Sequence, residues 1–207
     1  KFLCPNGHPL SAPENLAVGQ LAKDLTKRKP DVELDTWFPF RARADMIIPA
    51  NVQNHSLQDL YHFGRAAHGK PVLVHAIRPH MHSRGKSFRV EIVDPRGMSQ
   101  AVLHDFAQHD KVRGEPILSI PVWDFNWQRY YQFEEPILIR PDQALLATAY
   151  WDNTRHNPRN PDPDADVPWG QQTIHEMFNC LMLYEVLEPD DPRAKPKEHE
   201  RVAEVGR

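Results

Sequence analysis

Two histidines separated by one residue, His80 and His82, are the residues whose type and spacing most clearly suit chemistry. They follow an apolar run, Val72-Leu73-Val74-His75-Ala76-Ile77, that reads as a β-strand. Residues two apart on a strand face the same way, so the imidazoles project side by side and Met81 points away. Two such rings supply half of a transition-metal site, and the other donors often come from distant segments. A second pair with the same spacing, His175 and Met177, stands near the other end of the chain. A thioether is a soft donor that suits copper, above all Cu(I), whereas structural zinc favours thiolates. Taken singly, His-x-His also fits a polar strand end, and Met177 fits a core side chain.

The elements that must position these residues are short strands. The chain has 207 residues, a length that one all-β domain often uses alone. Twenty prolines against nine glycines disfavour long helices and favour strands joined by rigid loops. Residues 1–30 read as a proline-rich N-terminal arm with a short helix over Glu14–Thr26. From Asp31 the pattern turns to strands, with Val32, Leu34, Thr36 and Phe38 in period-2 alternation. Further strands are expected over Arg41–Ile48, Asn51–Leu60, Val72–Ile77, Ser87–Val93, Ala101–Leu103, Ile117–Ile120, Val122–Phe133, Ile137–Ile139, Ala144–Tyr150 and Leu181–Leu187. In the aromatic segment Val122–Phe133 the odd-numbered rings are expected on one core face. Residues 189–207 form a charged, proline-broken tail, expected to be solvated or bound to a partner. The expected architecture is therefore all-β, an antiparallel jelly-roll β-sandwich over residues 31–188.

Composition excludes several classes. A net charge of −3 with both signs dispersed gives no nucleic-acid groove and no polybasic membrane contact. No apolar run approaches the ~20 residues of a membrane helix, and no secretory signal is visible after Lys1. There is no nucleophile elbow, phosphate loop or dinucleotide fingerprint. Cys4 and Cys180, the two cysteines, can form one disulfide in an oxidising compartment, remain free thiols or pair with another chain. The segment from Cys4 to His8 lacks the second cysteine of a haem-attachment motif. Asn54-His55-Ser56 fits the short glycosylation pattern. Asp162, Asp164 and Asp166 have calcium-loop spacing, but the interleaved prolines and the missing Gly-then-Glu pattern point to ordered loop structure.

Longer words in the sequence narrow this. Pro79-His80-Met81-His82 with Arg84-Gly85-Lys86, then Trp123-Asp124-Phe125-Asn126-Trp127-Gln128, then Tyr150-Trp151-Asp152-Asn153-Thr154 occur in that order. Asn157-Pro158, Asn160-Pro161-Asp162-Pro163, Trp169-Gly170-Gln171-Gln172-Thr173 and Glu176-Met177 follow. Together, over about Asp31 to Leu187, they resemble the C-terminal domain of the copper type II, ascorbate-dependent monooxygenases. That family includes the peptidylglycine and dopamine hydroxylating enzymes and bacterial relatives. The resemblance implies a jelly roll in which His80, His82 and Met177 bind one copper ion, the place where the family activates oxygen. It also implies an extracytoplasmic location.

The chain departs from the family in two ways. The family's N-terminal domain binds an electron-supplying copper through three histidines, two of them adjacent. This chain has no His-His pair, and its N-terminal arm is expected to be too short for that domain. His175 stands where the bacterial relatives are expected to carry an acidic or polar residue, as an extra ligand or a support for the ligands. Three readings follow. The chain is a copper-binding subunit or module of a larger assembly; or an active monooxygenase half fed by an electron-donating copper or haem protein; or a degenerate scaffold without metal.

Overall fold

In the computed structural model, strands and the loops between them account for residues 46–64, 67–96 and 114–195, with residues 32–37 described by their backbone. The expected helix at 14–26, the strand at 101–103, residues 41–45 of the second expected strand, and residues 196–207 of the tail lie outside the described residues, as does Cys4. Ten strands are present among the described residues: β1 (Val32–Trp37), β2 (Ile47–Ile48), β3 (His55–Tyr61), β4 (Val72–His80), β5 (Gly85–Val93), β6 (Glu115–Ile120), β7 (Tyr131–Ile139), β8 (Ala144–Trp151), β9 (Val167–Pro168) and β10 (Asn179–Val186).

They form two four-stranded antiparallel sheets, ordered β1-β10-β4-β7 and β3-β8-β5-β6, and a small β2-β9 ribbon. The sheets pack together as an all-β sandwich. Val72, Val74 and Ile77 of β4 and Met182 and Tyr184 of β10 meet Phe88 and Val90 of β5 and Leu145, Ala147 and Ala149 of β8 in one buried cluster. Each large apolar side chain buried there contributes about 1.5–3 kcal/mol. No helix among the described residues is long and apolar enough to cross a membrane.

Strand β4 carries the site, and its irregularities matter. Opposite β10 the neighbours Leu183 and Tyr184 pair with Ala76 and Val74, so His75 is the extra residue of a β-bulge that shifts the alternation of β4 by one; the register with β7 also breaks there. Val72 and Val74 face the main core, but after the bulge Ile77 does so, while Ala76 packs in a second cluster with Leu183 and Tyr130. His80 shares the Ala76 side by the period-2 rule. Pro79 is tolerated because the β7 pairing ends at Ile77, so its missing N–H faces no neighbour on that side.

Two expectations need correction. The aromatic segment 122–133 is not one strand: β7 starts only at Tyr131 and continues to Ile139 as a single element. Asp124 accepts the Asn126 N–H at 2.9 Å, and its carbonyl accepts the Trp127 N–H, so the chain turns where alternation predicted extension. The short pairing of Val167–Pro168 with Ile47–Ile48 escaped the period-2 reading because two residues show no period. The described start of the tail is largely exposed and carries one anchor: Arg193 places both terminal nitrogens on the buried Glu185 carboxylate, at 2.9 and 3.1 Å. The 157–166 loop, as expected, is ordered by its own side chains. Asn157, Asn160 and Asp162 each accept the backbone N–H two residues ahead, and Asp166 accepts the Ala50 N–H.

Candidate metal centre

The site is built from three segments: the end of β4 with its turn (80–84), the loop 123–128, and residues 174–179 leading into β10. β10 lies beside β4, with Asn179 opposite His80. This pairing brings together residues almost a hundred positions apart.

β4 ends at His80, so His82 sits at the start of the turn rather than on the strand. Met81 points into the core, fully buried, as alternation predicted. The two imidazoles are adjacent but not parallel. Their centroids are 5.1 Å apart and their planes cross at 81°, because the chain has left strand geometry between them.

Each ring is held by one nitrogen. His80 Nδ1 is hydrogen-bonded to the Gln128 side-chain oxygen. His82 Nδ1 lies 3.0 Å from the His175 carbonyl oxygen. Both oxygens only accept, so they favour the proton on Nδ1 in each ring, which leaves the lone pair of His80 on Nε2; the Gln172 carbonyl is a further acceptor at the His82 ring. Metal-ligating histidines are oriented in this way. His80 Nε2 is 3.2 Å from Met177 Sδ, and Met177 Sδ is 3.5 Å from the Asn179 amide nitrogen. Two lone-pair donors thus converge with no hydrogen between them. Met177 is half-buried, between buried Glu176 and Phe178, so it is not the core side chain that it reads as singly.

Burial lowers the pKa of both histidines, and each also feels a neighbouring imidazole; the bonds to Gln128 and to the His175 carbonyl act against this. The rings are therefore kept neutral, the form that binds a metal. Above them, Phe125 meets His82 edge to face at 5.8 Å, and Trp123 Nε1 donates to the His82 carbonyl at 3.2 Å.

His175 contributes through its backbone. Its carbonyl orients His82, while its ring lies against Gly170, where any added Cβ would strike it. Among the described residues Cys180 has no disulfide partner; its thiol is buried in the core, and burial pushes its pKa up. Among the described residues no group of three or more His, Cys, Asp or Glu side chains is placed to hold a metal. What the fold does bring together is His80 Nε2 against the Met177 thioether, with the His82 ring beside His80 at 5.1 Å between centroids. That borderline-to-soft set suits copper better than zinc or the hard cations.

Motif reading assigned no role to several residues that build the site. Gln128 fixes His80 although it lies in the loop that was expected to be strand. Glu176, wholly buried, accepts the N–H of His82 (2.7 Å), the N–H of Arg84 (2.7 Å) and Trp151 Nε1 (3.1 Å). Burial pushes its pKa up to about 7, while these donors and the Arg84 charge pull it down. Arg84, also buried, donates to Asn153 Oδ1, to the Ile174 carbonyl and to the Asp162 carbonyl. The available signal was a lone acid next to Met177 in an otherwise uncharged stretch; Arg84, with Lys86 two residues on, gave none.

No protein-family model matches the chain, and no curated protein matches it.

Proposed function

We propose that this chain is a mononuclear copper-binding β-sandwich, of the kind that forms the oxygen-activating half of a copper type II monooxygenase. We infer that it works as a subunit or module of an extracytoplasmic assembly. One observation carries the copper reading: His80 and His82 both have Nδ1 tied to an oxygen acceptor, and the freed Nε2 of His80 faces the Met177 thioether. The ordered words around these residues support the family resemblance and, with it, jelly-roll topology for the sandwich. Copper bound there would supply redox chemistry toward dioxygen. The chain's own residues hold the ring orientations through Gln128 and the His175 carbonyl, and Phe125 and Trp123 cover the His82 side. These 207 residues contain no His-His pair, and the electrons for a hydroxylation would come from a copper or haem centre outside them, on a partner or on a further domain.

The test is copper stoichiometry and EPR on the wild-type chain and on a His80→Ala/His82→Ala variant. The expected result is one copper per chain with nitrogen hyperfine structure, lost in the variant. Copper at a hundred times its Kd should stabilise the wild-type fold by about 2.7 kcal/mol and leave the variant unmoved. A wild-type chain that takes no copper, or a variant that binds it equally well, would overturn the reading. Ascorbate-dependent oxygen uptake, with and without a candidate donor chain, then separates an active half from a binding module.

A further inference from the structure

We propose that Glu176 is the positioning residue of this centre. Its buried carboxylate cross-links the two ligand-bearing segments and fixes the His82 backbone against Met177 before any ion arrives. The inference rests on the copper reading for its purpose, but its geometry stands without a metal.

Glu176 supplies acceptors where the fold buries donors. Three N–H groups from two segments converge on one side chain: the backbone of His82 and of Arg84 in the turn after β4, and the indole of Trp151 at the end of β8. Each belongs to a buried residue, and an unpaired buried N–H costs about 1–3 kcal/mol. A carboxylate offers roughly four lone-pair sites and no donor. An amide in the same place offers one oxygen, and its NH2 would face an N–H. Only an acid therefore satisfies all three donors, with Oε1 on Arg84 and Oε2 shared by His82 and Trp151.

The same two segments are joined twice more, by Arg84 to the Ile174 carbonyl at 2.8 Å and by His82 Nδ1 to the His175 carbonyl at 3.0 Å. Residues 174–176 and 82–84 are thus stitched by four hydrogen bonds, two of them on Glu176. Met177, the next residue, inherits its position from this stitch. His80 does not depend on it, because Gln128 holds that ring from a different loop. The effect of removing the carboxylate should therefore be selective: His82 and Met177 lose their placement, and His80 keeps its own.

The first arm uses the metal-free, full-length wild-type chain. The amides of His82 and Arg84 should be strongly protected from hydrogen exchange, and nitrogen NMR should report both His80 and His82 as the Nδ1–H tautomer. In Glu176→Gln, protection of the Arg84 and His82 amides should fall at least tenfold and His82 should lose its single tautomer, with His80 unchanged. The second arm adds copper. Outer groups that orient ligands are typically worth ten- to a hundredfold in metal affinity, so Glu176→Gln should lose that much and change its EPR signature. Should that variant fail to fold, Trp151→Phe removes one donor without touching the carboxylate and should leave the His82 and Arg84 amides protected. Protected amides in a wild-type chain that takes no copper would sink the metal reading and leave the cross-link standing. Unprotected His82 and Arg84 amides in the wild type would overturn the positioning role. So would a Glu176→Gln chain that keeps wild-type copper affinity and EPR signature.

Discussion

At the scale of residues, the proposed copper binding would depend on keeping two imidazoles neutral and aimed. Burial lowers both pKa values from 6.5. A depressed histidine pKa contributes stability that is fully present above the unfolded value and is lost as pH falls below it. The stability difference between the metal-free wild type and His80→Ala/His82→Ala should therefore shift against the wild type as pH is lowered from 7 through 6.5 and below. Glu176 acts in the opposite sense: with its pKa raised from 4.5 to about 7, its contribution declines as pH rises through that window. It is present in both proteins and drops out of the difference. Thermal or denaturant unfolding across pH 5 to 8 checks this, and a pH-independent difference would contradict it. That His80 would lie beside His82 could be anticipated from local i, i+2 spacing, whereas the approach of Met177 to His80 comes from the pairing of β10 with β4 and not from its spacing to His175. Gln128, Glu176 and Arg84 were not legible in the sequence, because their roles depend on which backbone groups the fold leaves without partners.

At the scale of elements, the turn after β4 and the loop 123–128 work as one unit. Gly85 opens β5, and a Cβ there would lie 2.5 Å from Trp123 Cδ1 and 2.8 Å from Trp123 Nε1. Gly85→Ala should push the indole off the His82 carbonyl and destabilise the fold by about 1–3 kcal/mol. Unfolding midpoints would show it, and a variant as stable as wild type would mean that Trp123 can move freely. The strands were largely legible: β5, β6, β8 and β10 fall within a few residues of their expected spans, because their alternation or apolar runs are strong. The 123–128 loop was misread because aromatic residues favour strands on average. Here one Asp-led turn overrides that preference, and the override delivers Gln128 to His80.

At the scale of the whole molecule, a buried polar hub ties the long 152–168 loop to the ligand turn and to β2. Asn153, with no exposed surface, accepts from Arg84 Nε at 2.9 Å and from Asn160 at 3.0 Å, and donates to the Pro49 and Ala165 carbonyls. Asn153→Ala would strand a buried guanidinium N–H and two carbonyls, at a cost of about 3 kcal/mol or more. The loss should appear as a lower denaturant midpoint in the metal-free chain. A change below 1 kcal/mol would show that water replaces the side chain. The all-β sandwich itself could be read from proline content and strand periodicity. The hub could not, since Asn153 and Arg84 are 69 positions apart and no local pattern joins them.

The central claim is that two imidazoles and one thioether hold a single copper ion. X-ray absorption on the Cu(I)-loaded chain reads those donors directly. The account predicts nitrogen scattering from two histidines together with one sulfur neighbour, the sulfur disappearing in Met177→Ala. A copper environment without sulfur in the wild type, or one unchanged by Met177→Ala, would contradict it.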